Sequence, residues 1–216
     1  MLETLRNAFK VKDIRDRILF TFLMLIVIRI GSQLPVPGVN GDVFRSWFES
    51  QAAGLGFFDA ITGGSFLSMS VFALNITPYI TSSIIMQLLT IAIPKLEEMH
   101  KDGAEGRKKI AEITRYVTVG LALFEASAMT FGFWRSGYLV EKNALTAITV
   151  VTALTAGSAV LMWIGERITE KGVGNGISIV LVINIISRIP ADMGGLWNQF
   201  IDGKGLLQEV VASGLE

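Results

Sequence analysis

Few residues in this chain could make or break bonds, and their surroundings argue against it. The one histidine, His100, lies among Glu97, Glu98, Lys101 and Asp102. A metal site needs several ligands at fixed spacings, and there is no second His and no Cys to complete one. Ser and Thr are plentiful in the apolar stretches, but His100, in a charged loop, cannot activate them. It reads as a solvated loop residue. The cluster Gly172-Val173-Gly174-Asn175-Gly176 is not a dinucleotide fingerprint, because the six-residue pattern is incomplete and no strand precedes it. The remaining chemistry is that of passage. The run Val71 to Pro94 is long enough to cross a bilayer, which takes roughly 20 apolar residues. Yet Asn75, Thr77, Pro78, Thr81, Ser82 and Ser83 crowd its first half. Polar groups and Pro at membrane depth are costly unless they face protein or a water-filled cavity. Glu125, in the middle of another apolar run, is by the same rule either an ion or proton site or a group facing a wet cavity or a neighbouring helix.

The elements that must position these residues are membrane helices. Of the 216 residues, 51% are hydrophobic and 18% charged, against roughly 25% charged in soluble domains, and the charges are clustered. Zero formal net charge makes nucleic acid an unnatural partner. The expected fold class is all-α integral membrane, with spans at 18–34, 71–93, 110–133, 144–168 and 173–189. Pro35 and Pro37 should end the first span, Pro94 the second and Pro190 the fifth. Before them, residues 1–17 place Leu2, Leu5, Phe9 and Ile14 near helical spacing among basic residues. That is the pattern of an amphipathic helix on a cytoplasmic membrane surface. Residues 54–67 are too short and too polar to span. They are either a re-entrant or interfacial piece jointed at Gly63-Gly64 or an ordinary external loop. Residues 191–216 form an external loop or tail.

Five spans put the two ends on opposite sides, and Lys and Arg say which is which. One side holds thirteen: Arg6, Lys10, Lys12, Arg15, Arg17, Lys95, Lys101, Arg107, Lys108, Lys109, Arg115, Arg167 and Lys171. The other holds five: Arg45, Arg135, Lys142, Arg188 and Lys204. The N-terminus is therefore expected in the cytoplasm and Glu216 outside. Arg29 lies within the first span and is assigned a structural role. Ile76, Ile80 and Ile84 are spaced by four and share one helix face, as do Ile177 and Leu181, so each set is either core packing or a pore lining.

Several strings resemble the bacterial SecY family, the central subunit of a protein-conducting channel. They are Arg29-Ile-Gly-Ser32 with Pro35-Val-Pro-Gly38, Pro78-Tyr79-Ile80, Gln87-Leu-Leu-Thr90, Glu105-Gly-Arg-Lys-Lys109 and Gly174-Asn-Gly-Ile-Ser178. The resemblance implies the N-terminal five-helix half of a ten-span channel whose halves close around an hourglass pore. It implies a pore ring that includes Ile76, Ile80, Ile177 and Leu181. It implies a plug that includes Phe57, Phe58, Ile61, Gly63, Gly64 and Phe66, and a lateral gate at Thr81, Ile84 and Ile85. Gly174, Asn175 and Gly176 would form the motif that starts the fifth helix. It implies no cofactor, metal or catalysis, and a multi-pass place in the bacterial inner membrane. The implied partners are a C-terminal half or another copy of this one, SecE- and SecG-like small subunits, translocating polypeptides and signal sequences, and lipids. A SecA-like motor ATPase or the ribosome would dock mainly through the absent half. Two other classes stay open. One is a secondary transporter with its site at broken helices and Glu125; the other is a membrane assembly subunit with no passage.

Overall fold

A computed structural model describes residues 11–50, 59 and 62–200. The backbone of those residues is helical, with isolated bridges at Pro35–Ser70 and Val39–Leu139 but no strand. Among the described residues seven helices follow in order: α1 Lys12–Gly31, α2 Gly41–Ser50, α3 Thr77–Ala92, α4 Pro94–Lys101, α5 Gly103–Ser136, α6 Ala144–Lys171 and α7 Gly176–Phe200. Helix α6 is the hub, packing against α1, α5 and α7, while α5 also receives α3 and α4.

Two apolar clusters hold the bundle. One joins Ile28, Phe72, Ile76, Leu161, Ile164, Ile168 and Val180, so that α1, α6 and α7 close around the start of α3. The other is aromatic and ties α2 to the end of α5. The Phe44 ring meets Phe66 and Phe133 edge-on with centroids 5.6 Å apart, and Tyr138 at 6.0 Å. Helices α5 and α6 are each long and apolar enough to cross a membrane, and α3 with α4 makes a third candidate bent by 101°. The apolar part of α7, Gly176–Pro190, is shorter.

Three expected boundaries change. The second span is helical only from Thr77, because residues 71–76 form turns. Their start is held by the chain that leaves α1: Val71 N–H donates to the Leu34 carbonyl at 2.9 Å, and just before it Val36 N–H donates to the Met69 carbonyl at 2.8 Å. Asn75 adopts φ +55°, a left-handed geometry that Asn tolerates better than most residues, and Pro78 then sits in the first turn. Pro190 does not stop α7, which continues to Phe200. A Pro removes one ladder bond and kinks a helix without obliging it to end. Lys12–Arg17 belong to the same helix as the first span rather than to a separate surface helix. Residues 1–10 of the expected amphipathic helix lie outside the described residues, as do residues 201–216 of the tail.

Candidate functional site

Between α3, α5, α6 and the start of α7 lies a cavity of about 590 Å³. Its walls divide by chemistry. Ile80 and Ile84 of α3 and Ile177 and Leu181 of α7 form an apolar part, while Arg115, Glu166, Thr169, Glu170, Asn175 and Ser178 form a polar part. Arg115 of α5 donates through Nε to Glu166 of α6 at 2.8 Å, so the charged wall is locked across two helices. Arg167 beside it pairs with Glu170 at 2.8 Å and lies 5.6 Å from the centre of the Trp163 ring. Among the described residues, no group of three or more His, Cys, Asp and Glu could hold a metal ion.

The start of α7 is built by its own sequence. Gly174 turns the chain at φ +68°. Asn175 then caps the helix, its side-chain oxygen accepting from Ile177 N–H at 3.1 Å and Ser178 N–H at 3.4 Å. Gly176 N–H donates to the Thr169 hydroxyl at 2.9 Å, which fastens α7 to α6. That fastening aims Ile177 and Leu181 into the cavity.

The structure brings some expected residues together and separates others. Ile80, Ile177 and Leu181 share the cavity wall. Ile76 is fully buried and not among the lining residues, but Ile80, Ile177 and Leu181 pack against the cluster it belongs to. Ile84 lines the cavity, whereas Thr81 and Ile85 are not among its lining residues. Phe57, Phe58 and Ile61 lie outside the described residues. Phe66 packs on Phe44 and Phe48, and Gly63 and Gly64 take φ +65° and +85°. Glu125 is half-buried on α5 and is not part of the cavity wall. Arg29 donates to the Ile183 carbonyl of α7 at 3.4 Å, a packing role.

Sequence reasoning missed a polar group on α7. The fully buried Asp59 carboxylate forms an ion pair with Arg188, and its Oδ1 accepts from Leu67 N–H at 2.9 Å. One turn earlier, Asn184 donates to Asn75 Oδ1 at 3.0 Å. A signal was present: a lone carboxylate after Phe57-Phe58, and Asn184 and Arg188 spaced by four on one face.

The arrangement has known counterparts. A family model described as SecY matches residues 70–214. The chain belongs to the SecY family. It is 44% identical over 206 residues to the protein translocase subunit SecY of Bacillus subtilis (strain 168), covering 93% of this chain and 47% of that protein. With the same subunit of Thermotoga maritima it shares 44% identity over 211 residues, covering 91% of this chain and 49% of that protein. The chain therefore spans about half the length of the curated SecY relatives it matches. Two solved structures share its fold at 19% identity and a TM-score of 0.58. One is described as Sec61 in the canine ribosome-channel complex from the endoplasmic reticulum, the other as a protein conducting channel. Each match covers 92% of this chain and 41% of the solved one. The expected all-α channel fold is thus the fold of a SecY half.

Proposed function

We propose that this chain is the N-terminal half of the central subunit of a Sec-type protein-conducting channel in the bacterial inner membrane. It would pass unfolded secretory polypeptides across the membrane and release apolar segments sideways into lipid. The observation that carries the reading is the cavity wall. Ile80 from α3 faces the same space as Ile177 and Leu181 from α7, and a charged rim borders it. Branched apolar side chains from several helices can close around a passing chain and exclude ions. Ile80, Ile177 and Leu181 are assigned to this half's share of the constriction, and buried Ile76 to the packing beneath it. The segment that holds Asp59, Gly63, Gly64 and Phe66 is assigned to the plug. Exposed Ile84 and Ile85, with Thr81, are assigned to the lateral gate.

A cavity bounded by one half cannot seal by itself. The partner that completes it is a C-terminal half with facing apolar residues, accompanied by SecE- and SecG-like subunits and driven by a motor ATPase or the ribosome. The thirteen-to-five Lys/Arg bias disfavours an inverted second copy and supports a cytoplasmic N-terminus. The transporter reading is weaker, because Glu125 is not in the cavity wall that the start of α7 helps to form. The test is co-expression with the C-terminal half of a curated relative in cells depleted of the intact channel. Export should resume. No export, with both halves demonstrably inserted, overturns the proposal.

A further inference from the structure

Along α7, Ile177, Leu181, Asn184 and Arg188 fall within about 60° of one helix face. The first two line the cavity, and the last two meet the segment around Asp59. One helix face thus carries both the cavity wall and the seat of the plug-like segment, with Arg188 about 10 Å further along the axis than Leu181. The seat is polar. Arg188 pairs with Asp59, whose side chain is fully buried against 27% exposure for Arg188. Gly63 lies flat on the helix: a Cβ there would come within 2.6 Å of the Asn184 carbonyl oxygen, and at φ +65° Gly is the residue that fits. Asn184 is fixed in turn by Asn75, at the turn that leads into α3.

A buried carboxylate is tolerated only while it is paired. The pair gives up its hydration on docking and regains it on release into water, so a charged seat holds a segment yet lets it leave. An apolar seat would favour permanent burial. We propose that Asp59 and Arg188, with Asn184 under Gly63, form a latch that docks the plug-like segment on α7 and ties its release to movement of that helix. The three are positioning residues. The docking stands on contacts within this chain; its role in sealing rests on the channel reading above.

The chain has no Cys, so an introduced thiol reports docking without background. Ser65 is 3% exposed beside the latch, and Ser158 is 1% exposed on α6. Ser65→Cys and Ser158→Cys are made separately in the chain co-expressed with a C-terminal half, and labelled in membrane vesicles by an impermeant maleimide. Asp59→Asn or Arg188→Gln should speed labelling of the Ser65→Cys thiol by roughly tenfold or more. Labelling of the Ser158→Cys thiol should not change, and Arg188→Lys should keep much of the protection. No change at Ser65→Cys overturns the latch. So does an equal rise at both thiols, which would make the pair a general determinant of the fold. The same variants should raise ion leak through the assembled channel. Lost protection without any leak would leave the latch standing and overturn the assignment of this segment as a plug.

Discussion

A Cβ placed on Gly176 would lie 2.0 Å from the Gly165 carbonyl oxygen, so α7 starts with its backbone against that of α6. A Cβ on Gly120, exposed in the middle of α5, would meet nothing within 4 Å. The two should respond oppositely to Ala. Gly176→Ala forces a backbone shift and should destabilise the chain by about 1–3 kcal/mol. Gly120→Ala should stabilise by about 0.5–1 kcal/mol, through helix propensity alone. Thermal unfolding in detergent separates the two, and equal shifts would contradict the close α6–α7 approach. Ile76 shows what a spacing of four carries at a helix start. The helix begins at Thr77, and Ile76 caps it, its carbonyl accepting from Ile80 N–H at 3.1 Å, so the spacing of four still holds between them. Ile80 and Ile84 line the cavity, and Ile76, fully buried one turn earlier, belongs to the core that Ile80 packs against. Ile177 and Leu181 both lie inside α7, and there the spacing argument is valid.

Among elements, α3 is the helix whose polar content needed an explanation, and its contact with α5 supplies part of it. The Ser82 hydroxyl meets that of Thr118 at 2.5 Å, both side chains buried between the helices. Thr118 also donates back to the Thr114 carbonyl at 2.7 Å, as Thr130 does to Ala126. Such back-bonding satisfies hydroxyls inside a membrane helix without a partner helix. The pair should therefore couple only modestly. A double-mutant cycle of Ser82→Ala and Thr118→Val, followed by unfolding in detergent, should give about 0.6 kcal/mol of interaction and less than about 1.7. A value near zero would mean that the hydroxyls are each satisfied by their own helix. The cores of α5 and α6 were legible because long apolar runs announce helices directly. The turns at 71–76 were not, since their apolar residues mimic helical content, and what marks them as turns is the Val71–Leu34 bond, the left-handed Asn75 and its bond to Asn184. The Asp59–Arg188 pair was half legible for a related reason: each residue stood out in the sequence, but they lie far apart in the chain and only the fold makes them neighbours.

For the whole molecule, orientation decides which end of the cavity faces the cytoplasm, and charge makes the orientation testable. Lys95, Lys101, Arg107, Lys108 and Lys109 cluster on α4 and the start of α5. Lys142 lies in the connection between α5 and α6, at the far end of α5. At 1.5 Å per residue, Lys109 and Lys142 are separated by about 40 Å of α5, which exceeds the roughly 30 Å hydrocarbon core. Retention of Lys and Arg on the cytoplasmic side predicts this helix with its first residues inside. Because the chain has no native thiol, Lys109→Cys and Lys142→Cys report the two sides without background. In intact cells an impermeant maleimide should label Lys142→Cys and not Lys109→Cys; in inverted vesicles the pattern should reverse. Labelling of Lys109→Cys from outside would reverse the orientation, placing the charged Arg115–Glu166 rim toward the exterior. The cavity would then open with its polar rim on the side where a translocating chain leaves rather than where it enters, and the direction assigned to the passage would fail even though the family assignment stood.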